Sequence, residues 1–574
     1  MPFLLRLLLC VLLGIGPARA LTVEIVAPDA LKALLSKHLE AARAARLGEA
    51  LGAEEVARLR DLSQTSAREL LATEGYFSPL IDVTTEDATL LRFAVTPGAR
   101  THVRGVKLNY TGALAEAGEG NQRRRARVER QFAMRPGMPF RQADWEAAKG
   151  AVLQPLLVAE YPAARIVASE ARIDPETHTA DLALTLDSGP AFRYGELLIS
   201  GNQRYPAAII RNLSPLKPGQ PCRQQDLLDY QAALEASGYY AQAVVRIETD
   251  PSRAEAAPIR VEVVEKPLHL LSLGVGISTD TGARVQAAWL HRNLSQRGMR
   301  LKLDARLEET RQNGAAELIW PRNASGYENS LGLQLKQEDI EGQETRASVL
   351  SAKRGRTRGG IEVTQSLQYQ TERQLIGNVT ELRNRALTAN LAWTRRTLGR
   401  AFYPRRGDVL SLQIGGATEA LMSDTSFLRL YGRYTEYFRA GDTGRLVLRG
   451  ELGGVLADTR IGIPTDFLFR AGGDNSIRGY AYQSQGRALG GGIASVRYLA
   501  TGSAEYNYFF NGDWGAALFV DAGDAADTPS SLKPVVGVGI GARYRSPVGP
   551  INLDLAYGEA TDAFRLHFSL GVSF

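Results

Sequence analysis

Residues 564–574, FRLHFSLGVSF, alternate strictly between apolar residues and polar or small ones. The apolar face carries Phe564, Leu566, Phe568, Leu570, Val572 and Phe574. Similar alternation recurs at residues 271–278, 410–414, 427–437, 446–451 and 535–543. Charged residues occupy every second position of other segments, such as residues 301–307 (LKLDARL). This pattern predicts strands with one face toward lipid and the other toward a wet interior.

Such strands cross a bilayer only as a closed barrel, because the hydrocarbon core holds no water to satisfy backbone groups. No run of about 18 apolar residues follows the N-terminus, so the sequence predicts no spanning helix. Residues 268–574 leave room for sixteen strands, since a strand of roughly 10 residues takes about 18 to 20 with its turns. We therefore expect an all-β, sixteen-stranded transmembrane barrel over residues 267–574.

The N-terminus and the overall charge indicate an exported protein. Residues 1–20 combine an early Arg6, an apolar stretch and an Ala-Arg-Ala ending, which predicts a cleaved signal peptide. The formal net charge of +6 becomes +4 when Arg6 and Arg19 are removed, and so small an excess does not indicate nucleic-acid binding. The single cysteine of the remaining chain, Cys222, is predicted to be structural because it has no partner for a disulfide.

The N-terminal half contains a repeat. Residues 136–145 (PGMPFRQADW) recur as residues 218–227 (PGQPCRQQDL), 82 positions later. The surrounding pattern predicts three α+β units, each with the order strand, helix, helix, strand, strand. Their predicted bounds are residues 21–98, 99–188 and 189–266. Each unit leaves a sheet edge that a partner segment could extend, or that twist and charge merely blunt.

A glycine-rich loop, residues 470–482 (RAGGDNSIRGYAY), supplies the first candidate site. Alternation in residues 518–523 turns Asp521 into the lumen, and the preceding strand turns Glu505 the same way. An inward-folded loop would place Arg478 on Asp521, with Gly479 allowing close approach and Tyr480 beside it. Removing one partner of a buried ion pair costs about 3 to 5 kcal/mol, whereas a hydrated ion pair contributes only about 0 to 1 kcal/mol. Hydration therefore decides whether this contact locks the loop.

The second candidate site is the seam, the pairing between residues 268–280 and the closing strand. Its predicted residues are Gly274, Gly276, Gly571 and Phe574. The three glycines weaken local side-chain packing, and Phe574 is the last residue of the closing strand. A seam with few hydrogen bonds, each contributing roughly 1 kcal/mol, can open to an incoming strand that replaces them. The sequence thus leads to the hypothesis that client strands enter laterally here.

Enzymatic and metal chemistry find little support. The sequence holds no Gly-x-Ser-x-Gly or Walker motif, and its six histidines are scattered without ligand spacing. We therefore expect no catalytic residues, no metal ligands and no cofactor. A passive porin would not explain the N-terminal repeats, whereas a secretion pore for one dedicated substrate remains an alternative.

The chain resembles the Omp85 superfamily in its three units, its barrel and two motifs. The motifs are Ile477-Arg478-Gly479-Tyr480 in the loop and Phe519-Val520-Asp521-Ala522-Gly523 in a strand. The resemblance implies periplasmic POTRA domains before a sixteen-stranded outer-membrane barrel. Three POTRA domains are most similar to the TamA family, outer-membrane subunits of the translocation and assembly module; BamA proteins usually carry five and two-partner secretion transporters two. The resemblance implies a TamB-like, inner-membrane-anchored partner that spans the periplasm, autotransporters and other barrels as clients, and contact with outer-membrane lipid.

Overall fold

The computed structural model describes residues 21–48, 51–87, 90–377, 380–398, 403–546 and 549–573. The predicted signal peptide, residues 1–20, and Phe574 lie outside these ranges. The chain forms two compact units: one runs to Leu198 and adds residues 215–229 and 245–261, and the other comprises residues 199–214, 230–244 and 262–574. In the described ranges, no helix has the length and apolar character needed to span a membrane.

The first α+β repeat has one helix more than the sequence pattern predicts. Its elements are β1 (Thr22–Val26), α1 (Asp29–His38), α2 (Glu40–Leu47), α3 (Ala53–Thr73), β2 (Leu80–Asp87) and β3 (Leu90–Thr96). The sheet order is β1-β3-β2, with β1 parallel to β3. Leu39 separates α1 from α2 because its backbone is extended (φ −62°, ψ 136°) while its side chain is fully buried. The prediction of two helices was wrong here because core burial of one leucine interrupts the helical run.

The second and third repeats have the predicted two helices each. The second consists of β4 (His102–Thr111), α4 (Glu119–Gln131), α5 (Gln142–Leu157), β5 (Arg165–Asp174) and β6 (Thr179–Asp187). The third consists of β7 (Tyr194–Ser200), α6 (Ala207–Leu213), α7 (Gln224–Ala236), β8 (Tyr240–Ile247) and β9 (Ala257–Glu265). In both sheets the last strand is central, in the orders β4-β6-β5 and β7-β9-β8. Each repeat therefore has its first strand at a sheet edge.

Cys222 is a buried structural residue and should be chemically inert in the folded chain. It is 3% exposed, its N–H donates to Phe192 O at 2.9 Å, and its carbonyl accepts from Glu160 N–H at 2.8 Å. Burial raises the pKa of the thiol to about 11. At pH 8 only about one thiol in a thousand is then the reactive thiolate, against about a quarter for a free cysteine of pKa near 8.5.

We predict that iodoacetamide labels Cys222 at pH 8 more than a hundredfold slower in the folded chain than in urea. The rate should rise about tenfold per pH unit below pH 11, because half of the folded-state thiol is ionised only at about that pH. Mass spectrometry of the peptide that contains Cys222 measures both rates. Equal labelling in buffer and in urea would contradict burial of this thiol.

Sixteen antiparallel strands close into a barrel, as the alternation predicts. They are β10 (His269–Ser278), β11 (Gly282–Leu294), β12 (Met299–Glu308), β13 (Arg311–Ile319), β14 (Glu328–Ile340), β15 (Gln343–Arg358), β16 (Ile361–Ile376), β17 (Thr380–Arg396), β18 (Gly407–Ala417), β19 (Phe427–Ala440), β20 (Gly444–Leu456), β23 (Tyr498–Phe509), β24 (Trp514–Ala526), β25 (Val535–Ser546), β26 (Gly549–Gly558) and β27 (Ala563–Ser573). Outward residues such as Leu518, Ile540 and Leu566 are exposed, whereas Asp521 is buried. The barrel therefore presents an apolar outer surface around a polar interior.

The seam, where β10 pairs with β27, is shorter among the described residues than the pairing of β10 with β11. Among the described residues, it joins five pairs, from Gly274 with Ser573 to Ser278 with Ser569. On its other side β10 pairs along all ten residues with β11. The first half of β10, residues 269–273, thus has no partner in the described part of β27.

A long segment between β20 and β23, residues 457–497, folds inward and is called the lid loop below. It contains a small hairpin, β21 (Arg487–Leu489) with β22 (Gly492–Ala494). Its apolar residues, among them Phe467, Phe469, Ile477 and Val496, are buried in one cluster with wall residues Phe427 and Val455. The lid loop therefore has a hydrophobic core of its own against the barrel wall, which holds its polar tip in place.

Candidate functional site

The tip of the lid loop is fixed to the barrel wall through Arg478. Its Nε donates to Asp521 Oδ2 at 2.7 Å and its Nη2 donates to Asp521 Oδ1 at 3.0 Å, the two parallel bonds of a guanidinium–carboxylate fork. The Arg478 backbone N–H also donates to Asp521 Oδ2, at 3.0 Å. Arg478 is 3% exposed and Asp521 is 0% exposed. The contact is therefore the buried kind, whose loss is costly.

Further charges complete the cluster around this fork. Arg478 Nη1 donates to Glu505 Oε2 at 2.6 Å and to Asp554 Oδ2 at 3.2 Å. Arg543 binds the same two carboxylates, with Nη2 at 3.1 Å from Glu505 Oε1. The guanidinium carbon of Arg478 lies 3.4 Å from the centre of the Phe519 ring. We call Arg478, Arg543, Glu505, Asp521 and Asp554 the lumen cluster.

Two glycines allow the tip to lie against the wall. Gly479 has φ +95°, a conformation that side chains rarely adopt, and a Cβ there would lie 2.9 Å from Gly558 N. In the wall, a Cβ on Gly537 of β25 would lie 1.9 Å from the carbonyl oxygen of Arg478. Beside them, the Tyr480 hydroxyl donates to Val536 O at 3.0 Å and accepts from Ala560 N–H at 3.0 Å. The tip is thus held by backbone contacts as well as by charge.

We predict that Gly537→Ala displaces Arg478 from the lumen cluster, because the new methyl group would overlap a backbone carbonyl that has no flexible atoms to move aside. The variant should unfold at a lower urea concentration than the unaltered chain, by an amount typical of overpacking, about 1 to 3 kcal/mol. Urea titration of the protein in lipid vesicles, followed by tryptophan fluorescence, measures the change.

Gly450→Ala is the matched control, since Gly450 lies in another barrel strand, β20, and a Cβ there meets nothing within 4 Å. If both glycine variants unfold at the same urea concentration, close approach of the lid loop at Gly537 contributes nothing to stability.

The other end of the lid loop is anchored to a different part of the wall. Glu372 of β16 is 4% exposed and accepts from Thr465 Oγ1 at 2.6 Å, Thr465 N–H at 3.1 Å and Asn384 Nδ2 at 3.0 Å. Farther along, Arg470 Nη1 donates to Ile340 O at 2.9 Å. The lid loop thus bridges the lumen, with Glu372 and Asp521 as its buried acidic anchors.

A third group of contacts joins the lid loop to both strands of the seam. The Asp474 N–H donates to Asp280 Oδ2 at 3.0 Å, and Asp280 lies in the turn after β10. His567 of β27 is 2.5 Å from Asp474 Oδ1 through Nδ1, and its Nε2 accepts from Gly479 N–H at 2.9 Å. Burial first, and the charge of Asp474 next, raise the pKa of the Asp280 carboxyl to about 7. Asp280, Asp474 and His567 are called the seam triad.

The structure places the predicted site residues in two separate regions. It brings Arg478, Asp521 and Glu505 together, with Gly479 and Tyr480 against the wall beside them. Gly274, Gly276 and Gly571 lie in the seam ladder, and Phe574 lies outside the described residues. Sequence reasoning missed Asp554, Arg543, Glu372 and the seam triad. Alternation in β26 (GPINLDLAYG) could have identified Asp554 as an inward residue, because apolar residues flank it on both sides.

Two segments of the chain match known protein families. Residues 293–574 match the Omp85 superfamily domain, and residues 192–266 match POTRA, the surface antigen variable number repeat. The outer membrane protein assembly factor BamA of Nitratidesulfovibrio vulgaris is 24% identical over 432 residues, which are 70% of this chain and 53% of that protein. BamA of Neisseria meningitidis serogroup B is 22% identical over 551 residues, 81% of this chain and 66% of that protein.

The fold is also that of a solved structure. The crystal structure of BamA from Haemophilus ducreyi lacking POTRA domains 1–3 superposes with a TM-score of 0.67 at 15% identity, and the match covers 82% of this chain and all of that one. The chain spans between about half and two thirds of the length of the two curated relatives, 53% and 66%. The protein is an outer-membrane β-barrel whose POTRA region lies in the periplasm.

Proposed function

Since residues 293–574 match the Omp85 superfamily domain and residues 192–266 match POTRA, we propose that the protein inserts β-barrel client proteins into the outer membrane. In this proposal, the seam admits client strands laterally, the POTRA repeats dock a partner, and the lid loop holds the barrel in its closed form. The proposal extends to this chain what the names of the two BamA relatives say of them, that they are assembly factors.

The short seam is the observation that carries the proposal. An antiparallel ladder forms about one backbone hydrogen bond per residue pair, and each contributes a net of about 1 kcal/mol. Among the described residues, the five pairs at the seam therefore hold far less than the sixteen pairs that join β15 to β16. Backbone groups freed at an open seam cost several kcal/mol each in lipid. A client strand offers replacement bonds, so the seam favours strand exchange over a permanent opening.

The POTRA repeats suit a docking role because each has its first strand at a sheet edge. We propose that the first repeat docks a TamB-like, inner-membrane-anchored protein that spans the periplasm, and that autotransporters are among the clients. The three repeats before the barrel support this narrower assignment, because a pore for one dedicated substrate of the two-partner type would carry two.

The test is purification of the complex from the outer membrane in mild detergent, with the full chain and with a variant that lacks residues 21–96. We expect a large periplasm-spanning protein to accompany the full chain and to be lost from the truncated one. The Cys222→Ser variant, altered in another repeat at a buried residue, serves as the control and should keep the partner. A single secreted protein bound equally by all three chains would reject this function in favour of the secretion pore.

A further inference from the structure

The seam triad unites three parts of the barrel that the sequence keeps far apart. Asp280 belongs to the turn after the first strand, Asp474 to the lid loop and His567 to the last strand. One ligand-type atom of each residue lies within 4.8 Å of those of the other two. His567 is 3% exposed, and the Asp474 side chain is 15% exposed. Two carboxylates and an imidazole therefore meet in a nearly enclosed space.

The carboxylates of this group differ from those of the lumen cluster in their partners. Within the described ranges, neither Asp280 nor Asp474 forms an ion pair with a lysine or arginine, in contrast to the carboxylates of the lumen cluster. Ser278 Oγ lies 3.4 Å from Asp474 Oδ2 and offers only a weak neutral bond. Buried carboxylates need a partner, because an unpaired charge away from water is costly. A bound cation would serve as such a partner.

We propose that Asp280, Asp474 and His567 form a binding site for a divalent cation of the Zn²⁺ class. Two carboxylates and one imidazole are three of the ligands that zinc takes in four-coordinate sites, with water in the fourth position. Calcium and magnesium prefer six or more oxygen ligands, which this group does not supply. The cation would replace the proton between His567 Nδ1 and Asp474 Oδ1, and these two atoms, 2.5 Å apart here, would separate to about 3.3 Å to accept tetrahedral Zn–N and Zn–O bonds of about 2.0 to 2.1 Å.

Cation binding would change how the last strand contacts the lid loop. Gly479 N–H donates to His567 Nε2, so this nitrogen has no proton in the present arrangement and Nδ1 carries it. A cation on Nδ1 moves the imidazole proton to Nε2, which then faces another N–H and loses the bond to Gly479. Binding thus replaces the hydrogen bond from Gly479 with a link through the cation that joins Asp280, in the turn after β10, to Asp474 and to His567 of β27. Its effect on client insertion rests on the proposed function, whereas binding itself does not.

The experiment is calorimetric titration of the full-length, EDTA-treated protein in detergent with ZnCl₂, and separately with CaCl₂. We expect one Zn²⁺ per chain and much weaker binding of Ca²⁺. Asp474→Asn and His567→Gln should each weaken Zn²⁺ binding by more than the roughly 10-fold to 100-fold that loss of an outer-shell partner costs. Zn²⁺ should also raise the unfolding temperature of the unaltered chain and not that of the two variants.

A pair of histidines outside the seam triad supplies the control. His269 and His291 lie side by side, with ring centres 4.8 Å apart, at the opposite end of β10 from Asp280. The variant His269→Gln/His291→Gln should therefore keep the Zn²⁺ site. Absence of Zn²⁺ binding by the unaltered chain would overturn the proposal, as would binding that survives in His567→Gln but disappears in the control. Zn²⁺ binding by a chain that inserts no clients would leave the site intact and reject the proposed function alone.

Discussion

Arg478→Ala is expected to destabilise the barrel by about 3 to 5 kcal/mol, the cost of removing one partner from a buried ion pair. Asp521 would remain fully buried with both of its guanidinium bonds gone, and Glu505 would lose its bond of 2.6 Å. The lid loop would then be held at its tip by the backbone N–H of residue 478, which still donates to Asp521, and by the contacts of Asp474, Gly479 and Tyr480. Urea titration in lipid vesicles, with the heat shift of the folded barrel on SDS gels, measures the loss.

Arg478→Lys separates charge from geometry. Lysine keeps the positive charge but cannot form two parallel bonds with Asp521 while also reaching Glu505 and Asp554. We expect the stability of Arg478→Lys to lie between that of the unaltered chain and that of Arg478→Ala. The double-mutant cycle of Arg478→Ala with Asp521→Ala then gives the coupling energy of the pair, free of the other contacts that each residue makes.

The matched control lies in the same loop. Arg487 pairs with Asp527 at 3.1 Å, but its side chain is 57% exposed, so Arg487→Ala should cost only about 0 to 1 kcal/mol. If Arg478→Ala costs no more than Arg487→Ala, water screens the lumen cluster and the lid loop is not locked by it. The comparison answers the question of hydration that the sequence left open.

Local periodicity made most of the barrel predictable. The side chains of a strand alternate with a period of two, so the inward position of Asp521 and Glu505 follows from their immediate neighbours. The pairing of Arg478 with Asp521 needed a family resemblance as well, because nothing local says where a loop of this length folds. Asp554, by contrast, was accessible to the same alternation rule and was overlooked.

Closure of the barrel made the seam triad unpredictable. Asp474 lies 194 positions from Asp280 and 93 positions from His567, and the three meet only because the first strand pairs with the last. Scattered histidines in the sequence therefore gave no sign of a cation site. The extra helix in the first repeat was not predicted for a different reason. The burial of Leu39, which separates the first two helices, depends on tertiary packing and not on helix propensity.

A disulfide across the seam is expected to stop client insertion almost completely while leaving the barrel folded. Ser278 and Ser569 are register partners, and opposed residues of an antiparallel pair lie about 4.5 to 5.5 Å apart at Cα, within the range that a disulfide spans. In Ser278→Cys/Ser569→Cys, oxidation makes the short seam covalent, and strand exchange then requires breaking an S–S bond. Cys222 is buried and offers no competing partner.

The measurement is the amount of a folded autotransporter in the outer membrane of cells that depend on each variant, with and without a reductant. We expect the oxidised seam variant to fall to the level of cells that lack the protein, and reductant to restore insertion. Ser272→Cys/Ala288→Cys joins the same first strand to β11, where all ten residues of β10 are already paired, and should function normally. Normal insertion by a fully oxidised seam variant would mean that clients do not enter between β10 and β27. Loss in both disulfide variants would instead place the requirement in β10 itself, since stiffening that strand on either side would then be sufficient to stop insertion.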